Sequence, residues 1–182
     1  MSVSITFQSS NGGSTISDPL SHGNISNGAI TTPQIIFLSQ NGVNPVTGVG
    51  FYIDLASPYT GDATALGDQT ELISWGNGVV SSDFGGFQIN QNATGSFPGA
   101  SWPTLSNPTT TDTHGITIRT GHGDSSSNPI PIQTVTGASS TGTIQTGASP
   151  NVSFATRIVV PSNVSVLGAR AFKFTISYTY TS

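Results

Sequence analysis

Cysteine is absent from this 182-residue chain, so no disulfide and no thiolate metal site can form. Charge is scarce as well. Lys and Arg number 4, Asp and Glu number 8, and the charged fraction is 7%, against about 25% in an ordinary globular domain. The four cations, Arg119, Arg157, Arg170 and Lys173, are scattered. With a net charge of −4, the chain lacks the clustered basic residues that neutralise phosphates, which argues against a nucleic-acid partner. No stretch approaches the ~20 apolar residues of a membrane span, and residues 1–11 have neither the basic start nor the apolar run of a secretion signal. What remains is a surface of hydroxyls and amides. Such a surface is desolvated against a partner at little electrostatic cost, so assembly is the first expectation rather than catalysis.

The hydrophobic fraction of 34% is too high for a chain that stays disordered through low hydrophobicity and high net charge. The apolar residues recur with a period of two. Val3, Ile5 and Phe7 alternate with Ser4, Thr6 and Gln8, and Val49, Phe51, Ile53 and Leu55 with Gly50, Tyr52, Asp54 and Ala56. Ile116 and Ile118, then Phe154, Thr156, Ile158 and Val160, follow the same rule. The clearest run is the last, with Phe172, Phe174, Ile176, Tyr178 and Tyr180 on one face and Lys173, Thr175, Ser177, Thr179 and Thr181 on the other. These patterns predict half-buried strands. The unbroken run Ile35-Ile36-Phe37-Leu38 predicts a strand covered on both faces.

Turn signals separate the runs: Asn11-Gly12-Gly13, Asn27-Gly28, Asn41-Gly42, Asn77-Gly78, Gly85-Gly86 and Gly121-His122-Gly123-Asp124. Short strands spaced in this way predict an all-β fold, an antiparallel β-sandwich of immunoglobulin-like or jelly-roll type, forming one domain over residues 1–182. No window reads as a good ten-residue helix. The best candidate is one or two turns from Asp68 to Trp75. Long loops are expected at about 92–114 and 121–150, where Pro, Gly, Ser and Thr concentrate. Loops of that length in compact domains are usually functional or mobile, so these two either reach neighbouring subunits or form a solvated loop pair.

Few residues carry a chemical signal. Asp112, His114, His122 and Asp124 lie close in sequence, but a zinc or nucleophile-activating site needs three convergent ligands or a Ser–His–Asp arrangement. No HExxH, GxSxG or DxDxDG pattern is present. The reading is therefore of exposed loop residues, with no metal and no cofactor expected. Glu71, the only glutamate, with Asp54, Asp62 and Asp68 nearby in sequence, is the carboxylate set to weigh for glycoside hydrolysis; capping a short helix or closing turns accounts for these acids better. Among the aromatics, Tyr52, Tyr59, Trp75, Phe84, Phe87, Phe97 and Trp102 suggest either a sugar-stacking platform or core filling. Trp75 reads as core. Phe97 and Trp102 each precede a proline in the 92–114 segment, and Trp102 either anchors that loop or serves as an interface hot spot. The candidate interface residues are accordingly Trp102, Phe97, His114 and His122. Both termini read as strands; a terminal strand left at a sheet edge is a template for another chain, although pairing within the domain is the better reading of each end taken singly.

The stretch Thr32-Pro33-Gln34-Ile35-Ile36-Phe37-Leu38-Ser39-Gln40-Asn41-Gly42, followed by Pro45-Val46-Thr47-Gly48-Val49-Gly50-Phe51-Tyr52-Ile53, resembles the first hairpin of an immunoglobulin-like sandwich. Similar patterns recur in minor structural proteins of tailed-bacteriophage virions. Glu71-Leu72-Ile73-Ser74-Trp75-Gly76, Gly86-Phe87-Gln88-Ile89-Asn90, Arg157-Ile158-Val159-Val160-Pro161 and the ending Gly168-Ala169-Arg170 with 172–180 are similar to that class too. The resemblance covers roughly residues 29–90 and 150–182 and brings no catalytic residues with it. It implies a capsid decoration or cement protein that binds the major capsid protein and copies of itself, as a homo-oligomer such as a trimer, in a virion assembled in the host cytoplasm. The alternative it implies is a tail or host-recognition protein binding cell-surface glycan. An enzyme and a bacterial cell-surface sandwich are the remaining rivals.

Overall fold

A computed structural model of the chain describes residues 3–9, 13–16, 21–54, 65–78, 85–90, 115–132, 143–144, 146, 152–164 and 172–180. Among the described residues, eight strands and one helix follow in the order β1 (Ile5–Gln8), β2 (Gln34–Gln40), β3 (Val46–Asp54), α1 (Ala65–Asn77), β4 (Gly86–Asn90), β5 (Gly115–Thr117), β6 (Ile130–Pro131), β7 (Val152–Val159) and β8 (Lys173–Tyr180). They form two antiparallel sheets, one of five strands in the order β1-β2-β7-β4-β5 and one of three in the order β6-β3-β8. The all-β sandwich expected from the period-two pattern is what the chain forms.

The two sheets meet through phenylalanine. Phe51 and Phe174 come from the three-stranded sheet, and Phe87 and Phe154 from the five-stranded one. Phe174 stands 5.5 Å from Phe51, 5.5 Å from Phe154 and 5.9 Å from Phe87, while Phe87 meets Phe172 edge-on at 4.8 Å. Tilted and edge-on pairs at these distances add to the area each ring buries. Around them lie fully buried Leu38, Ile53, Ile89, Ile118, Ile132 and Ile144.

The stretch that resembles a first hairpin is not one. β2 pairs with β1 and β7, and β3 pairs with β6 and β8, so residues 41–45 carry the chain from one sheet to the other. A tight hairpin would hold both strands in one sheet; here the Asn41-Gly42-Val43-Asn44-Pro45 connection crosses the end of the sandwich. β2 also departs from the two-sided burial predicted for its apolar run. Ile36 and Leu38 face the core, while Ile35 and Phe37 on the other face are half-buried. In β3, Val46 and Val49 are both buried although an odd spacing should place them on opposite faces. The register with β8 slips by one residue between Thr47 and Gly50, and Gly48 takes φ +59° within that bulge.

The helix runs for 13 residues, longer than the turn or two predicted. Gly67, Thr70 and Gly76 lower its intrinsic propensity, but tertiary burial of Leu72 and Trp75 stabilises it. Trp75 is a core residue, as expected. Among the described residues no helix is long and apolar enough to cross a membrane.

Within the expected 121–150 loop, the described residues 121–132 are mostly turns and bends anchored to the body. Ile53 N–H donates to the Gly123 carbonyl at 2.9 Å, β6 pairs with β3, and Ile130 and Ile132 are buried. Ile144 is buried too and bridges Val46. Excising 121–149 would therefore remove core, not only a surface loop.

Gly86 sits where β4 meets the helix, with φ +91°. A β-carbon there would lie 2.5 Å from the Leu72 carbonyl oxygen, and a helix backbone cannot yield as a side chain can. Gly86→Ala is expected to cost at least about 2 kcal/mol of stability, measured by denaturant unfolding with an unchanged slope. A cost near zero would mean that the helix does not pack against β4 at this point.

Candidate functional site

Polar chemistry gathers on the five-stranded sheet. Registry places Gln88 directly opposite both Arg157 of β7 and Thr117 of β5, so the three side chains share the face turned away from the partner sheet. Arg157 Nε donates to Gln88 Oε1 at 2.8 Å, and Gln88 Nε2 donates to Thr117 Oγ1 at 3.2 Å. Gln88 is only 1% exposed and Thr117 3%. Desolvation pushes the Arg157 guanidinium down to about 10, so it stays charged at neutral pH. A buried amide with both ends satisfied fixes the register of three strands; it presents no free nucleophile or base.

His22 occupies a second polar position, on the opposite face. Its Nδ1 lies 3.4 Å from Thr31 Oγ1 and its Nε2 3.2 Å from Thr156 Oγ1, with the ring edge-on to Phe87. Thr31 Oγ1 also accepts from the Ile158 N–H at 2.9 Å. Either threonine hydroxyl can donate or accept, so one neutral tautomer satisfies both contacts. Burial pushes the imidazole down to about 4. The ring thus acts as a strut joining residues 21–31 to β7. The segment is further held by Thr31 N–H to the Ile158 carbonyl, Gly28 N–H to the Val160 carbonyl, and Asn27 Nδ2 to the Val164 carbonyl.

Asp124 organises the turn after β5. Its carboxylate accepts from Gly121 N–H at 2.8 Å, from Asn128 Nδ2 at 3.1 Å and from Ser125 Oγ at 3.4 Å. Desolvation is the largest single influence and acts to raise its pKa, but the hydrogen bonds from Gly121, Asn128, its own N–H and Ser125 together outweigh it, and the net direction is down. His122 is half-buried and pairs through its backbone with Arg119, N–H to carbonyl at 2.9 and 3.1 Å. His122 and Asp124 therefore serve one turn. Among the described residues no three of His, Asp and Glu stand together as a metal would need.

Of the candidate interface residues, His122 alone falls among the described ones; Trp102, Phe97 and His114, with Asp112, lie outside them. Tyr59, Asp62 and Phe84 lie outside as well. Trp75 and Phe87, offered as members of a sugar platform, are buried in the core and cannot stack on a ligand. His22 and the Arg157–Gln88 pair escaped the sequence reading because their partners lie 134 and 69 residues away.

The sheet edges differ sharply. β1 has four residues, and its outer side is closed by the Gln8–Thr15 bridge and the Ile16 N–H to Phe7 carbonyl bond. β5 has three residues and β6 two. β8 has eight, pairs only with β3 among the described residues, and carries a single charge, Lys173. Near its end, Tyr178 donates its hydroxyl to the Val3 carbonyl at 3.1 Å, linking the two sheets across the open side. Tyr178 remains 39% exposed and Val43 on the sheet-crossing connection 71%. No protein family, no curated protein and no solved structure matches this chain.

His22 gives a pH dependence with a definite sign. Between pH 6.5 and about 4 the unfolded chain binds a proton at this site that the folded chain does not. Stability therefore falls as pH is lowered across that window and levels off below it. Urea unfolding at several pH values is expected to show the fall, and His22→Gln to flatten it. Asp124 acts lower, its contribution fading as pH drops below the ordinary 3.8. An unchanged slope in His22→Gln would contradict the strut.

Proposed function

We infer that this chain is a structural protein that works by docking on other protein subunits, and that its place is the virion of a tailed bacteriophage as a capsid decoration or cement protein. The observation that carries the reading is the combination of a 7% charged composition with a two-sheet sandwich whose longest described strand edge bears one charge. Natural sheet proteins blunt their edges with charge, proline or bulges. The β8 edge, eight residues without proline or glycine and with one charge, leaves out these devices and favours strand or surface pairing. Polar side chains of the sandwich are used internally, Gln88, His22 and Asp124 each holding neighbouring segments. The phage placement rests on the sequence resemblance.

In this reading the sandwich lies across junctions between major capsid subunits. Each contact is modest, and symmetric repetition multiplies it. Ile130, Ile132 and Ile144 belong to the core and take no part in the expected attachment surface, which includes the exposed Val43 and Tyr178.

Purified virions, separated into heads and tails and quantified by mass spectrometry, are expected to carry this chain in many copies on heads. Recovery from tails alone, or absence from particles, would reject the capsid placement. A glycan array positive for one sugar, together with recovery from tails, would favour host recognition instead.

A further inference from the structure

We propose that β8 is a self-association strand: two copies of the chain join antiparallel along it, about a two-fold axis, into a continuous six-stranded sheet β6-β3-β8-β8-β3-β6. The inference goes beyond the virion reading and does not depend on it, because it concerns the chain alone.

The occupant follows from matching strands. Among the described residues only β3 pairs with β8, and an eight-residue edge left open on its other side offers alternating N–H and carbonyl groups that another extended segment satisfies. The other described edges supply four residues already bridged on their outer side, three residues and two. The only described edge on a second copy that matches β8 in length is β8. Pairing a patch with itself closes by two-fold symmetry and does not propagate into fibres.

The pleat restricts the register. For the sheet to continue, Phe174, Ile176, Tyr178 and Tyr180 must stay on the core-facing side in both copies, so residues of like parity must face each other. Two registers use most of the strand: Ile176 opposite Ile176, or Ser177 opposite Ser177. The first sets Phe174 against Tyr178 and Lys173 against Thr179. The second sets Phe174 against Tyr180 and Thr175 against Thr179. Each places an aromatic pair across the junction, a favourable cross-strand combination. Neither brings the two Lys173 side chains together. At 3.4 Å per residue they lie at least about 20 Å apart, well beyond the ~8 Å screening length. The one charge on the strand is placed where self-pairing does not oppose it. The chemistry of the edge agrees: β8 holds no proline and no glycine, and the register slip in this sheet is the extra residue in β3.

The test is the oligomeric state of the full chain by sedimentation or light scattering across a concentration series. A monomer–dimer equilibrium is expected, reaching twice the 18.6 kDa chain mass. Thr175→Lys with Thr179→Lys brings lysines face to face in either register and is expected to raise the dimer dissociation constant at least about tenfold. In parallel, hydrogen exchange on the unmodified chain is expected to slow in β8 as concentration rises, while β5 and β6 keep their rates. A chain monomeric throughout, a closed trimer, or β8 exchange that ignores concentration would overturn the proposal. So would a folded double-lysine variant that dimerises as well as the parent.

Discussion

The structure depends on a single packing event, the meeting of phenylalanines from two sheets. Phe174 touches Phe51 within its own sheet and Phe87 and Phe154 across the gap. A chain with 7% charged residues and no cysteine has few charges and no disulfide to hold two thin layers together. Apolar burial must do so, and aromatic side chains supply the most area per residue. Everything else is arranged around that contact: the bulge at Gly48 that keeps Val46 and Val49 inward, the crossing at 41–45 that delivers β3 to the second layer, and the helix that presents Leu72 and Trp75 to the core.

Polar groups in this molecule act as struts. Gln88 spans Arg157 and Thr117 across three strands, His22 joins two threonines from distant segments, and Asp124 closes its own turn. Each is a buried or partly buried group that would be costly if unpaired, so each fixes one arrangement. In the proposed function the contacts fall to outward surfaces, where among the described residues Ile30, Val43 and Tyr178 are the large apolar side chains exposed. The eight-residue edge of β8 stands out there because a backbone ladder, unlike a side-chain patch, dictates the kind of partner it accepts.

The strands were legible because period-two alternation reflects a one-sided core, and 172–180 displays it without interruption. The pairing was less so. The segment from Thr32 to Ile53 resembles a hairpin in its local turn chemistry, yet Asn41-Gly42 followed by Asn44-Pro45 lets the chain change sheets. Which strand receives β3 is decided by Phe51 reaching Phe174, 123 positions along the chain. The helix was underestimated because its glycines argue against it, and only the burial of Leu72 and Trp75 argues for it. His22 sits in a polar stretch between Ser21 and Gly23 with no periodicity, so nothing local marks it as buried. Trp102, Phe97 and His114 fall outside the described residues, and their role as interface groups stays with the functional proposal.

The central proposal is that this sparsely charged sandwich acts by being held against many identical subunits. An electron-microscopy map of the intact virion tests it most directly. The account predicts density for a two-sheet domain repeated over the outer surface of the head, touching more than one capsid subunit at each position. A particle whose head surface holds no such domain would contradict it.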